Sequence, residues 1–245
     1  MSYFLSPQAL TPGQTLTLEG EEAGHLLKSR RLRAGDVFAL QDPAGLRFAA
    51  EVVSVQRHTA VIRTREALPV PTLPPVRLTL VLAAVKDKAL EYVLQKATEL
   101  GVADIVLFVA EHSPVTSDEL AQPKALARWE RILREACKQC DRQFPPSLRT
   151  APGLDAGLKQ IGDTALRLVL DPRASLSMAQ AMASAEPHPS AAVLIGPEGG
   201  LSPEEVAQAE RSGYRGATMG QLILRTDTAA IAACTLVLHG GAAAR

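Results

Sequence analysis

Apolar and polar positions follow two rhythms along this chain, and the change between them falls at a run of prolines. Up to about residue 66, segments 14–18, 36–40, 47–55 and 59–64 show partial alternation and β-branched residues. Turn-forming groups at Pro12-Gly13, Ala34-Gly35-Asp36 and Asp42-Pro43-Ala44-Gly45 separate them. The pattern predicts a small β-barrel interrupted by one helix over residues 21–31, with His25 as a helix-packing residue. Residues 69–75 hold four prolines in seven positions, which neither a helix nor a central strand accepts, so they form a semi-rigid linker.

From Val76 the period changes. Residues 76–84 read as a buried strand, 87–100 as an amphipathic helix ended by Gly101, and 104–109 as the next strand. A helix over 124–142, a strand over 165–170, a helix over 177–185 and a strand over 191–195 continue the alternation. Strands alternating with helices predict an α/β domain with a mostly parallel sheet, whose ligands gather at the strands' carboxyl ends. Two domains follow, 1–68 and 76–245, joined by 69–75.

Composition narrows the class. Lys plus Arg equals Asp plus Glu at 26 each, so no net field draws the molecule to nucleic acid and any RNA contact needs a local patch. The sharpest patch is KSRRLR, with Lys28, Arg30, Arg31 and Arg33 within six positions; a solvated helix end is the competing reading. No run of eighteen apolar residues and no signal-peptide pattern occurs, which leads to the expectation of a cytoplasmic protein without a membrane span. Cys137 and Cys140 form a C-x-x-C inside a predicted helix, with no second pair to complete a metal site. They read as two reduced thiols, and no metal is expected.

Two stretches carry the chemistry. In AAVLIGPEGGLSPEEV a buried strand runs into Gly196, Pro197, Glu198, Gly199 and Gly200, then into a helix with Ser202 as N-cap, Pro203 in the first turn and Glu205 closing a capping box. The turn matches neither a dinucleotide fingerprint nor a P-loop, and Glu198 disfavours a pyrophosphate, so the stretch is either a plain strand-to-helix turn or the site of a ligand that is neutral or cationic where it meets the turn. In MGQLILRTDTAA, Gly220 precedes an apolar Leu222-Ile223-Leu224 and a small-residue helix with Thr226 or Asp227 as N-cap. The apolar run is either a packed loop or a wall for a flat ring.

Together IGPEGG…LS and MGQLILRTDTAA resemble the RsmE branch of the SPOUT methyltransferases, supported by QKATELGV at 95–102, CKQCDR at 137–142 and HLLKSRRLRAGD near the amino end. That family methylates N3 of a uridine in 16S ribosomal RNA with S-adenosylmethionine. The resemblance implies a PUA-like RNA-binding domain, a SPOUT domain with a trefoil knot, a homodimer, and a small ribosomal subunit or its precursor as partner. It assigns Leu170, Asp171, Ile195, Gly196, Pro197, Gly199 and Gly200 to the cofactor. Met219, Gly220, Leu222, Ile223, Leu224, Thr226 and Thr228 complete that set.

Arg225 is the candidate group for the uridine, where a guanidinium hydrogen-bonds a carbonyl and stabilises charge developing on the ring. Its competing reading is a partner for a loop carboxylate. Asp227 and Glu198 are candidate bases, against a helix cap and an offset to the sulfonium charge respectively. Lys28, Arg30, Arg31, Arg33, Gln139 and Arg142 are candidate RNA contacts, the last two also candidates for the subunit interface. Where the family usually has Pro-Arg and Glu, this chain has Gln221, Leu222 and Asp227, and Lys138 replaces a common acidic residue. Two alternatives stay open: ribose methylation of transfer RNA by another SPOUT enzyme, and a catalytically silent RNA-binding or ribosome-assembly protein. No role is assigned to His112 or His239.

Overall fold

The computed structural model describes residues 3–183 and 189–240. They form two units: one holds the chain up to Thr72 together with Cys137–Phe144, the other Leu73–Ala136 and the chain from Pro145 onward.

The first unit is built from β1 (Tyr3–Leu5), β2 (Thr15–Leu18), α1 (Gly20–Gly24), β3 (Val37–Gln41), β4 (Arg47–Val55) and β5 (Ala60–Leu68). Its sheet runs β1-β3-β4-β5-β2, antiparallel except where β1 meets β3. Irregularities between Phe48 and Ala50 and between Val52 and Ser54 bend β4, and the sheet is a half-barrel, with no ladder joining β1 to β2 among the described residues. Phe4, Leu16, Leu18, Leu40, Val52 and Ile62 fill its core.

The helix expected over 21–31 is shorter. After Gly24 the chain widens into a π turn over His25–Ser29, where Arg30 N–H donates to His25 O at 3.1 Å. Glycine at the junction weakens α-helical continuation. His25 does pack, with its ring 5.3 Å from Phe4.

The segment Cys137–Phe144 is held in this unit by polar contacts. Tyr3 Oη donates to Arg142 O at 2.7 Å, Arg47 pairs with Asp141 at 2.6 Å, and Lys138 pairs with Glu22 at 2.6 Å. The cation that the family resemblance marks as unusual thus has a carboxylate beside it.

The second unit contains β6 (Arg77–Ala83), α2 (Asp87–Leu100), β7 (Asp104–Phe108), α3 (Ser117–Leu120), α4 (Pro123–Cys140, its last turn in the first unit), β8 (Ser147–Ala151), α5 (Leu154–Leu158), β9 (Leu166–Leu170), α6 (Met178–Ala183), β10 (Ser190–Ile195), α7 (Pro203–Arg211), β11 (Arg215–Ala217) and α8 (Thr226–His239). Every pairing in its six-stranded sheet is parallel, in the order β11-β9-β10-β6-β7-β8. Alternate residues serve opposite faces. Leu78, Leu80 and Leu82 pack with α2, α4, α6 and α8, whereas Val81 and Ala83 pack with α5 and α7.

The α/β class is as the periodicity predicts. α2 ends at Gly101, whose φ of 98° lets Val102 N–H reach Ala97 O at 3.0 Å. α4 stops two residues short of the expected end, because Asp141 at φ 68° turns the chain and Arg142 N–H closes on Cys137 O. The end of the helix expected over 177–185 lies outside the described residues. β1, α3, β8 and α5 have no counterpart among the expected elements. No described helix is long and apolar enough to cross a membrane.

Candidate active site

Three connections meet at the carboxyl ends of neighbouring strands. β9 ends at Leu170, β10 at Ile195 and β11 at Ala217, and Leu170 and Ala217 are register partners. Asp171 N–H continues that ladder onto Ala217 O at 3.0 Å. The residues beyond these ends enclose a cleft of about 400 Å³, walled by Leu170, Ile195, Met219 and Leu224 and floored by 196–200. This size suits a small organic ligand.

The glycines of the floor are needed for different reasons. A Cβ on Gly196 would sit 2.9 Å from both Leu201 Cγ and Leu201 N, and one on Gly199 would sit 2.9 Å from His112 Cβ. Gly200 has open space around it but a φ of 75°, which disfavours any side chain. The turn is closed by Gly200 N–H on Pro197 O at 2.9 Å. The capping box is present as expected: Glu205 N–H donates to Ser202 Oγ, and Ser202 N–H donates to Glu205 Oε2.

The structure brings together twelve of the fourteen residues assigned to the cofactor, with Glu198 beside them. Gly220 and Thr228 lie outside the lining: Gly220 turns the chain at φ 122°, and Thr228 is exposed with its N–H on Asp227 Oδ1. Leu222 and Ile223 are 80% and 85% exposed and border the cleft, so these two side chains are not packed into a loop interior. Sequence reasoning missed Pro172, Arg173, Leu201, Val206, Ala217, Thr218 and Ala229, most of them flanking residues that were named. Proximity along the chain was the signal for them.

The N-cap of α8 is Arg225, not Thr226 or Asp227. Thr226 is buried in the first turn and its Oγ1 donates instead to Gly196 O at 3.2 Å. Arg225 is 76% exposed, with Nε 3.8 Å from Asp227 Oδ1, beyond hydrogen-bond range. Arg173 and Asp171 form the closer pair, through Nε at 3.0 Å and Nη2 at 3.2 Å. Burial raises the Asp171 carboxyl, and the hydrogen bonds and charge of Arg173 outweigh it, leaving the group below its ordinary range.

In the first unit, Lys28, Arg30, Arg31 and Arg33 are all exposed, as is Gln139 at the end of α4. Arg142 is not available as a surface cation. It is buried, past the helix end, and its Nε donates to Phe144 O at 2.6 Å. Burial pushes the Cys137 thiol up to about 12, removing it from thiolate chemistry, and no metal-binding cluster occurs among the described residues.

The cleft lies at the carboxyl edge of a parallel sheet, in a chain that also carries a small β unit, and the families that the two parts match make the protein an RNA methyltransferase. The RNA methyltransferase domain family matches residues 72–238 and the RNA methyltransferase PUA domain family matches 18–64. The chain is 31% identical to ribosomal RNA small subunit methyltransferase E of Mycobacterium bovis, over 90% of this chain and 85% of that one. A methyltransferase structure from Legionella pneumophila with bound S-adenosylmethionine superposes with a TM-score of 0.85 at 32% identity, covering 97% of this chain and 96% of that one. The Neisseria gonorrhoeae ribosomal RNA small subunit methyltransferase E, also bound to S-adenosylmethionine, gives 0.84 at 28% identity over 97% and 98%. The chain belongs to the ribosomal RNA small subunit methyltransferase E family.

Proposed function

We propose that this chain methylates N3 of a uridine in 16S ribosomal RNA, with S-adenosylmethionine as donor. The observation that carries the reading is the cleft formed by the three strand ends, in a chain that aligns over nearly its full length with solved relatives that hold this cofactor. The residues fit the group. Apolar walls suit an adenine ring, the glycine floor exposes backbone polar groups, and Glu198 offers an exposed carboxylate compatible with a sulfonium. When bound, the cofactor supplies an electrophilic methyl group.

The chain's own side chains do the rest. Arg225, exposed and without a tight partner, hydrogen-bonds the uracil carbonyls and stabilises the charge that develops as N3 loses its proton. That proton passes to a carboxylate. Asp227 has Oδ1 occupied by the Thr228 amide and Oδ2 left to accept, and Glu198 on the cleft is the second candidate. N3 lies on the Watson–Crick edge, so the target uridine is unpaired or flipped when it reacts. Lys28, Arg30, Arg31 and Arg33 supply phosphate contacts. The working protein is a cytoplasmic homodimer that acts on a small ribosomal subunit or its precursor.

The test is calorimetric titration with S-adenosylmethionine and S-adenosylhomocysteine, followed by nucleoside mass spectrometry of treated small-subunit RNA. Saturable binding and the appearance of N3-methyluridine are expected. A folded protein that binds neither compound overturns the reading in favour of a silent RNA-binding protein, and a ribose-methylated product overturns the choice of atom.

A further inference from the structure

The glycine-rich turn is the part of the cleft least able to hold its own shape. Three glycines in five positions give it the widest backbone freedom, and its internal closure is the one hydrogen bond from Gly200 N–H to Pro197 O. A loose turn would have to be ordered whenever a ligand bound, which weakens affinity. Restraint must therefore come from neighbouring elements.

The Gly196 end is held by Thr226. The Gly200 end meets a loop that sequence analysis left without a role, the residues after β7. There Ala110 N–H donates to Ser113 Oγ and Ser113 N–H donates back to Ala110 O, both at 3.0 Å, so the loop is a closed turn in its own right. Glu111 N–H donates to Glu205 Oε1 at 3.0 Å while Oε2 of the same carboxylate takes Ser202 N–H at 2.9 Å. One side chain thereby caps α7 and anchors the loop. With the loop fixed, His112 Nδ1 lies 3.1 Å from Gly200 O, and its Cβ fills the space that a side chain on Gly199 would need. A carbonyl oxygen only accepts, so Nδ1 carries the proton in this contact.

We propose that His112 is a positioning residue for the cofactor: from the loop after β7 it locks Gly199 and Gly200 in the conformation that the cleft requires, with Glu205 holding that loop to α7. The proposal rests on the reading of this cleft as the S-adenosylmethionine site. His112 does not line the cleft, and it acts only through the carbonyl of Gly200 and the packing on Gly199. Asparagine is the conservative replacement, because its amide nitrogen stands at the same number of bonds from Cα as Nδ1 does.

Wild type, His112→Ala and His112→Asn are compared by calorimetric titration with S-adenosylmethionine and S-adenosylhomocysteine, by steady-state kinetics, and by hydrogen exchange of the ligand-free proteins. Loss of one side chain to backbone hydrogen bond with its packing raises the His112→Ala dissociation constant and the cofactor KM roughly five- to tenfold. Turnover at saturating cofactor stays within about twofold. The amide of Gly200, bonded to Pro197 O, exchanges faster in His112→Ala, while those in the middle of α2 do not change. His112→Asn restores affinity to within about threefold of wild type.

Wild-type affinity in His112→Ala, unchanged exchange at Gly200, or a loss that asparagine fails to recover each overturns the proposal. If the wild type itself binds neither compound, the cofactor reading has failed, and the exchange comparison still decides whether His112 holds the turn.

Discussion

Thr226 Oγ1 donates to the carbonyl oxygen of Gly196 across 3.2 Å, joining the first turn of α8 to the start of the cleft floor. Thr226 is 5% exposed, so water cannot readily replace the bond. Thr226→Val keeps the shape and deletes the donor. It is expected to lower stability by about 1 kcal/mol and to weaken S-adenosylmethionine binding several-fold, while Thr226→Ser retains both. Thermal denaturation and calorimetry on the two variants test this.

The glycines of the floor are expected to respond in a definite order. Gly200→Ala meets no atom and suffers only the left-handed backbone, a cost of roughly 1–2 kcal/mol. Gly199→Ala meets His112 Cβ, so adding His112→Gly relieves it in part. Gly196→Ala meets the backbone nitrogen of Leu201, which cannot swing aside, and is the most damaging. Cofactor affinities across this series should fall in that sequence, and in the Gly199→Ala, His112→Gly pair the clash is relieved while the loss of the His112 hydrogen bond to Gly200 O remains.

Asp171 gives a pH signature. Its folded carboxyl lies below the ordinary value of 3.8, so its contribution to stability is complete above that value and disappears as the pH falls through the folded pKa. Arg173→Ala removes the guanidinium's hydrogen bonds and charge but keeps the backbone N–H of residue 173 on Asp171 Oδ1, so the carboxyl rises and the loss of stability shifts to higher pH. Carbon-13 titration of the Asp171 carboxyl in both proteins reads the direction directly.

Arg225→Ala is expected to reduce methyl transfer by roughly a hundredfold or more with cofactor affinity nearly intact, since the side chain is exposed and lies outside the cleft lining. Turnover like wild type would return Arg225 to the role of a surface residue near Asp227.

Replacing Arg30, Arg31 and Arg33 with alanine is expected to flatten the salt dependence of RNA binding, by about 0.7 to 0.9 in log–log slope for each phosphate that is no longer neutralised. Filter binding over a range of salt concentrations measures it, and an unchanged slope places the patch outside the RNA interface.

Much of this was legible because local rules and tertiary structure agree. Ser202, Pro203 and Glu205 specify the start of α7 within a few residues, and Gly101 stops α2 where its left-handed φ is required. The illegible parts depend on distant residues. Thr226 and Asp227 both look like caps, yet the Thr226 hydroxyl is drawn to a carbonyl 30 residues away and Arg225 begins the helix. Arg142 looks like a helix-surface cation until Asp141 reverses the chain and buries it. His112 gave no signal, because its partner comes from the connection between β10 and α7.

The strand order of the second unit sets a timetable for the growing chain. Synthesis from the amino end delivers β6, β7 and β8 before β9, β10 and β11, and the last three are those whose ends enclose the cleft. β10 lies between β6 and β9, and the bond from Thr226 to Gly196 needs both the end of β10 and α8 to be present. A nascent or truncated chain that stops before β11 therefore already contains both pieces of the first unit but has no cleft. Ligand stabilisation, which acts only on a state that binds, is reserved for chains that have completed α8, so the cofactor can distinguish finished molecules from unfinished ones.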